Sequence, residues 1–293
     1  MAAPAALRRP FPHEPLRTLL AARVIHPFPV ALNVAATVAL ATIANDGLPA
    51  LDVLVRLGAA MFFVQAAIGA SNDYCDRDLD AVTKPYKPIV RGVIEPRTAL
   101  ALAALCAAAA GIAASTFGPA SMAVGAVGLA AGLAYNARLK RSLASALPFM
   151  VALPALPVWV WVSLDAFTTE LWWLVPFAPL AGLAVHLSNT LPDIESDRRA
   201  GVRGLAHTLG EERSLALAWG GFALALVLAG ALGFVLEYEW RAFAYGAGVA
   251  SLLFAAAVVA YRVRPGQAAL QAGFGLISMA TASLAAGWLS AVT

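Results

Sequence analysis

The sequence predicts an all-α integral membrane protein with about nine transmembrane helices, and three observations carry that expectation. The first is composition: 61% of the 293 residues are hydrophobic and 13% are charged. With a mean hydropathy of +0.76, the chain is too apolar for a soluble domain, whose surface needs polar cover. The second is run length. A hydrocarbon core roughly 30 Å thick takes about 20 apolar residues per helix, and windows of that length fall at 23–44, 51–71, 98–116, 120–138, 142–163, 171–191, 213–235, 240–261 and 268–292. The third is charge placement. With the runs alternating across the bilayer, eighteen of the twenty basic residues fall on one side, with Arg241 on the other and Arg56 inside the second run. Basic residues are retained in the cytoplasm, so the N-terminus and the long loops are expected there and the C-terminus outside. The net charge of +3 reflects this asymmetry and requires no nucleic acid.

Taken in order, residues 1–22 are polar and basic, carry no removable signal-peptide pattern and read as a cytoplasmic N-terminal segment. Residues 23–293 read as a single polytopic membrane domain. The first run contains Asn33. The second contains Arg56, placed to snorkel or to pair with Asp52 one turn earlier, and Gln65, then passes directly into "NDYCDRDLD". The third holds Cys106, which with Cys75 sits in a reducing setting where a disulfide is not expected. The fourth ends in "YNARLK", and the sixth leads through His186 and Asn189 into "DIESDRRAG". The expected outer loops are short ("NDGLPA", "STFGPA", "DAFTTE", "EYEW"), and the tryptophans fall mainly at the ends of runs, as an interfacial belt. Two connections on the cytoplasmic side, about residues 72–97 and 189–212, are long enough to suggest function.

Both long connections begin with acids. Asn72, Asp76 and Asp80 are spaced i, i+4, i+8, within an arc of about 80° if the second helix continues through them. Asp73 lies near the edge of that arc, while Cys75 and Asp78 point elsewhere. In the second connection His186, Asn189, Asp193 and Asp197 follow at offsets of 3, 4 and 4, again one face of a helix, with Glu195 pointing away and Pro192 able to distort the turn. Carboxylates about 6 Å apart repel by roughly 3 kcal/mol per pair at an effective dielectric of 20, so they must protonate or meet a cation. Hard oxygen ligands suit Mg²⁺, which is shared between one or two carboxylates and substrate phosphates. Basic residues follow each cluster: Lys84, Lys87, Arg91 and Arg97 after the first, Arg198, Arg199 and Arg203 after the second. Tyr135 and Lys140 close the fourth run. Metals for the inner oxygens and basic groups for the outer ones are what a diphosphate needs. Solvated acidic loops paired with neighbouring Lys and Arg remain the alternative, and each basic residue alone could serve topology only.

"NDYCDRDLD" resembles the NDxxDxxxD motif of the UbiA superfamily of intramembrane prenyltransferases. "DIESDRRAG" is similar to its second Asp-rich motif, "YNARLK" to its YxxxxK element and "KPYKPIVRG" to its basic Pro-containing loop. The resemblance spans nearly the whole chain and implies a helical bundle around a central cavity. It also implies two Mg²⁺ ions bridging a prenyl diphosphate to the motifs, one on Asn72, Asp76 and Asp80 and the other on Asp193 and Asp197. Asp73 would support them, Tyr135 and Lys140 would stand by the diphosphate, and Lys84, Lys87, Arg91, Arg203 and Asn189 are further binding candidates. Glu195 occupies a place often acidic in relatives. The implied activity is transfer of a prenyl group, through an allylic carbocation, to a lipophilic acceptor that is aromatic or a quinone precursor, with the isoprenoid tail among helices or membrane lipid. Asn189 stands where many hydroxybenzoate-type relatives carry Tyr, and the second motif is closer to dihydroxynaphthoate-type members. The first motif is closer to the hydroxybenzoate and chlorophyll-synthase style, so no acceptor is named. A terpene cyclase with the same ionisation step is one alternative. An ion-coupled transporter is another, disfavoured because the charges gather at one membrane face.

Overall fold

The structure, a computed structural model, describes residues 14–199 and 201–293. Arg8 and Arg9, counted above toward orientation, lie outside the described residues, as does the side chain of Arg17. Among the described residues twelve α-helices follow one another: α1 Glu14–Ala22, α2 Pro27–Ala44, α3 Leu51–Thr83, α4 Pro96–Ser115, α5 Pro119–Ala137, α6 Leu147–Ser163, α7 Ala178–Thr190, α8 Ile194–Arg199, α9 Leu205–Leu209, α10 Glu211–Leu232, α11 Trp240–Val263 and α12 Gln267–Val292.

The helix starts follow from local chemistry. A proline stands in the first turn of α2, α4, α5, α6 and α7, where its missing N–H loses no intrahelical bond and its fixed φ suits the helix. Before α5 the chain reverses at Gly118, whose φ of 96° is a conformation that a side chain resists.

Eight helices are long and apolar enough to cross a membrane among the described residues, and they match eight of the nine expected runs. The remaining run, the sixth at 171–191, takes another form: a 3₁₀ turn over Thr169–Leu174 followed by the 13-residue α7. At 1.5 Å per residue α7 spans only about 20 Å. Pro176 falls in the break, where it has no N–H to carry a continuous helical ladder, and Pro179 stands in the first turn of α7, where a proline is accommodated.

Helix α3 does continue through the first acidic cluster. Its 33 residues extend about 50 Å, well past the hydrocarbon thickness, and lift the segment 72–80 to one end of the bundle, here called the site face. The expected single helix through the second cluster is not formed. Helix α7 ends at Thr190, a 3₁₀ turn covers Leu191–Asp193, and α8 starts at Ile194. Pro192 cannot donate to the α7 ladder, so the register changes between Asn189 and Asp193.

Helices α11 and α12 pack at backbone contact: a Cβ built on Gly246 would lie 2.5 Å from the Gly287 Cα. The large core joins α7, α10, α11 and α12, with Phe177 and Trp288 in ring contact at 5.3 Å. This corrects the reading of the tryptophans as a belt. Trp172, Trp173 and Trp240 are exposed, but Trp159, Trp161 and Trp288 are buried, because indoles fill large interhelical gaps as readily as interfaces. Arg56 does pair with Asp52, at 2.9 Å, and its guanidinium lies over the Phe117 ring. Helices α2 to α6 enclose a cavity of ≈ 560 Å³.

Replacing Gly246 by valine forces backbone apart on both helices, and overpacking of this kind typically costs about 1–3 kcal/mol. A thermal denaturation midpoint in detergent clearly below wild type is expected, with the same change at Gly248, where nothing lies within 4 Å, leaving the midpoint near wild type.

Candidate active site

The site face collects charge from four separate segments. Asp73, Asp76 and Asp80 on α3 are almost wholly buried, at 1%, 2% and 3% exposure. Unpaired, each would be costly to ionise there, and two lysines arrive to meet them, while a third pairs with the second acidic segment. Lys87, from the connection after α3, places its Nζ 2.7 Å from Asp73 Oδ1 and 2.9 Å from Asp80 Oδ2. Lys140, from the turn after α5, donates to Asp76 Oδ2 at 2.6 Å. Lys84 donates to Asp193 Oδ2 at 3.0 Å and so ties the first cluster's helix to the second cluster. Burial works against the charge of Lys87, but Asp73 and Asp80 outweigh it and hold the ammonium above the usual lysine range. Lys84 behaves likewise, with Asp193 the main opposing group.

Asn72 organises the α3 face. Its amide donates to Asp76 Oδ2 at 3.0 Å and to Asn136 Oδ1 at 3.2 Å, while its own Oδ1 accepts from Lys87 at 3.3 Å. Asn136 in turn donates to the Ile68 carbonyl at 2.8 Å, pinning α5 to α3. In the second segment Asp197 is buried and Asp193 is half-buried. Burial pushes the Asp197 carboxyl up, against the nearby Lys140. Gly204 N–H donates to His207 Nδ1 at 3.2 Å, which leaves the proton on Nε2, 3.8 Å from Asp197 Oδ2.

The structure therefore brings together Asn72, Asp73, Asp76, Asp80, Lys84, Lys87, Lys140, Asp193 and Asp197. Tyr135 lies beside them on the cavity wall, its ring 5.4 Å from Phe149 and 6.0 Å from His186. Asn189 is half-buried, whereas Arg91 and Arg203 are exposed. Glu195 points away, as its spacing implied, and pairs with Arg199 at 3.1 Å. Gln65 and Asn33 line the cavity. His186 packs instead, bonded through Nε2 to Ser145 Oγ at 3.0 Å. The sequence reading passed over Asn136, His26, Arg141 and His207. Asn136 lies inside the quoted "YNARLK". His26 was hidden among apolar neighbours, yet its Nε2 reaches Asp73 Oδ1 at 2.8 Å. Arg141 stands 3.6 Å from Asp76 Oδ1.

Three carboxylate oxygens, Asp73 Oδ2, Asp76 Oδ1 and Asp80 Oδ2, are buried without a hydrogen-bond partner; Lys87 is close to the last but is not aligned with it. Buried acceptors left open beside lysines fit an added cation. Among the described residues no three His, Cys, Asp or Glu side chains stand close enough to hold one ion. That arrangement suits Mg²⁺, which takes one or two carboxylates and completes its shell with water and phosphate oxygens.

Below the charges the cavity turns apolar. Asn72, Asn136, Tyr135 and His26 stand at its mouth, and Ala, Gly, Leu and Met side chains line the depth as far as Trp159. The charged cluster adjoins this shaft through Asn72, which lines the cavity and bonds to Asp76 and Lys87, and charge next to an apolar shaft suits a ligand with an anionic head and a hydrocarbon tail.

Residues 33–284 match the model of the UbiA prenyltransferase family. The chain belongs to that family. Two curated UbiA-type relatives illustrate the range. A digeranylgeranylglyceryl phosphate synthase from Natronomonas pharaonis is 32% identical over 60% of this chain. A bacteriochlorophyll synthase 33 kDa chain from Cereibacter sphaeroides is 34% identical over 54% of it. The aligned stretches span 64% and 55% of those relatives' own lengths. The fold agrees with that of a UbiA homologue from Archaeoglobus fulgidus bound to GPP and Mg²⁺, with a TM-score of 0.66, 19% identity, and coverage of 90% of this chain and 98% of that one.

Substituting Lys87 by methionine leaves Asp73 and Asp80 with an uncompensated buried charge, and breaking a buried pair costs about 3–5 kcal/mol. A large fall in the thermal midpoint is expected, partly recovered in the double variant with Asp73→Asn, as coupled neighbours require.

Proposed function

We propose that this protein transfers a prenyl group from a polyprenyl diphosphate to a lipophilic acceptor, aromatic or a quinone precursor, in a reaction dependent on Mg²⁺. The observation that supports it is the junction of two acidic segments and three lysines at the mouth of an apolar cavity. Neither half alone would need the other: a tail-binding shaft needs no buried carboxylates, and a cation site needs no shaft. Family membership and the GPP and Mg²⁺ of the A. fulgidus homologue agree with this reading.

In it, Asn72, Asp76 and Asp80 would hold one Mg²⁺ and Asp193 and Asp197 a second, with Asp73 in support. The metal supplies positive charge that neutralises the diphosphate and favours its departure. The chain's own residues do the rest. With those carboxylates given over to the metal, the ammonium groups of Lys84, Lys87 and Lys140 would be available to the diphosphate oxygens. Stabilising the leaving group lets the allylic C–O bond break with both electrons going to oxygen, which leaves the carbocation on the prenyl chain. Tyr135, beside the mouth, is placed to contact the diphosphate, and Arg91, Arg203 and Asn189 are positioned to guide its approach. The apolar walls keep water from the cation until the acceptor's electron pair captures it and a proton leaves the acceptor. The site face is cytoplasmic in this reading, from the Lys and Arg retained on that side, and the protein is a multi-pass protein of the cell membrane.

The test is diphosphate release by purified protein in lipid nanodiscs, with geranyl and geranylgeranyl diphosphates and a panel of phenolic and quinone-precursor acceptors. Release should require Mg²⁺, stop with EDTA, and fall by at least about 10²-fold in Asp76→Ala, Asp193→Ala and Lys140→Met, the scale of losing one preorganised charge contact. Mg²⁺-dependent release with cyclised hydrocarbon as the product would replace transfer by cyclisation. No release under any of these conditions would overturn the enzyme reading.

A further inference from the structure

Five aspartates meet at the site face, and four of them have a lysine ammonium within 3.0 Å: Asp73 and Asp80 share Lys87, Asp76 has Lys140 and Asp193 has Lys84. Asp197 is the exception. Among the described residues no lysine or arginine pairs with it, and what faces its carboxylate is the imidazole of His207. We infer that His207 is a positioning residue, which gives its Nε2–H to Asp197 and so aims that carboxylate at the ion of the second acidic segment. This rests on the metal assignment above and adds to it the group that holds one ligand in place.

The imidazole is fixed from its other side. Its Nδ1 accepts from the Gly204 N–H at 3.2 Å, at the start of α9, which orients the ring and commits its proton to Nε2. The stretch that carries it has little freedom. Val202 N–H donates to the Asp197 carbonyl at 2.9 Å, and Leu205 N–H donates to Ser145 Oγ at 3.0 Å. At Gly204 the backbone passes so close to the turn after α5 that a built Cβ would lie 2.8 Å from the Lys140 carbonyl oxygen. The ring is thus tied both to the backbone of Asp197 and to the turn that carries Lys140.

With 4% of its side chain exposed, His207 keeps a buried Nε2–H that has no partner, and a buried donor left open is costly. It stands 3.8 Å from Asp197 Oδ2, about 0.9 Å beyond an ordinary N–H···O bond. The last torsion of an aspartate is broad, so rotation of the carboxylate can close that gap without moving backbone. A carboxylate free to turn binds an ion less well, because ordering it is then a cost of binding. With Oδ2 held by the imidazole, Oδ1 is left for the ion, and a hydrogen bond of this kind is what ligating carboxylates usually carry.

The experiment separates the two nitrogens of the ring. In His207→Asn the shorter amide keeps an acceptor near the Nδ1 position and loses the donor toward Asp197. In His207→Gln the longer amide reaches the Nε2 position with a donor and loses the acceptor at Gly204. Mn²⁺ binding to each variant and to wild type in nanodiscs is read from the EPR signal of the free ion, alone and with geranyl diphosphate, and the thermal midpoint is measured beside it. Affinity should fall about 10- to 100-fold in His207→Asn, the usual loss when the partner of a metal ligand is removed, and stay near wild type in His207→Gln. The midpoint should do the reverse, falling in His207→Gln, where an N–H at a helix start is left open, and holding in His207→Asn. Asp197→Asn should lose at least as much affinity, with no further loss when His207→Asn is added, as groups acting through one contact require. Affinity that follows the midpoint across the two variants, or that neither variant changes, would overturn the inference, and His207→Gln decides alone if His207→Asn does not stay monodisperse. Failure of wild type to bind Mn²⁺ under either condition would instead overturn the metal assignment and this role with it.

Discussion

The buried carboxylates of α3 set the terms for the whole site face. Asp73, Asp76 and Asp80 sit where a charge cannot be left alone, so neighbouring segments supply cations, and a further lysine ties the same end of α3 to the second acidic segment. Lys87 folds back from the connection after α3, Lys140 reaches in from the turn after α5, and Lys84 crosses to Asp193. Each such pair helps fix the segment that carries it, and after α3 it acts together with Ile89, packed in an apolar cluster with Ala70 and Ala99. Electrostatic necessity at one end of a long helix thus becomes the geometry of a site.

Apolar packing answers a different requirement, which is to hold helices together while leaving space among them. Small residues do both. Gly246 and Gly287 bring α11 and α12 into backbone contact, and Gly182 lets α7 meet the α6 backbone, with a built Cβ 2.6 Å from the Phe149 carbonyl oxygen. Around the cavity the same residue types have the opposite effect: Gly111 and Gly128 have nothing within 4 Å of a built Cβ, and their missing side chains are the cavity's volume. Whether glycine closes or opens a space depends on what faces it, which composition alone does not state.

That distinction describes how far the sequence could be read. Hydropathy alone located eight of the spans, because a bilayer imposes its thickness on any apolar run. The i, i+4, i+8 spacing of Asn72, Asp76 and Asp80 placed them on one helical face, because α3 does continue. The second cluster defeated the same logic at Pro192, where periodicity was extended through a residue that ends it. Asn136 and His26 were overlooked because their importance lies in partners 64 and 47 residues away. Trp159 was read as interfacial because sequence distance from a helix end says nothing about which way an indole turns.

Every residue that lines the cavity falls between His26 and Trp159, whereas Asp193 and Asp197 come from the later part of the chain. Only the second acidic segment of the charged site is therefore written apart from the shaft; its α3 carboxylates and Lys87 and Lys140 share the shaft's stretch of sequence. Mutations that reshape the tail shaft can accumulate in the first half without disturbing the second acidic segment, and changes around α7 to α9 can alter what meets the reactive end while the shaft stays intact.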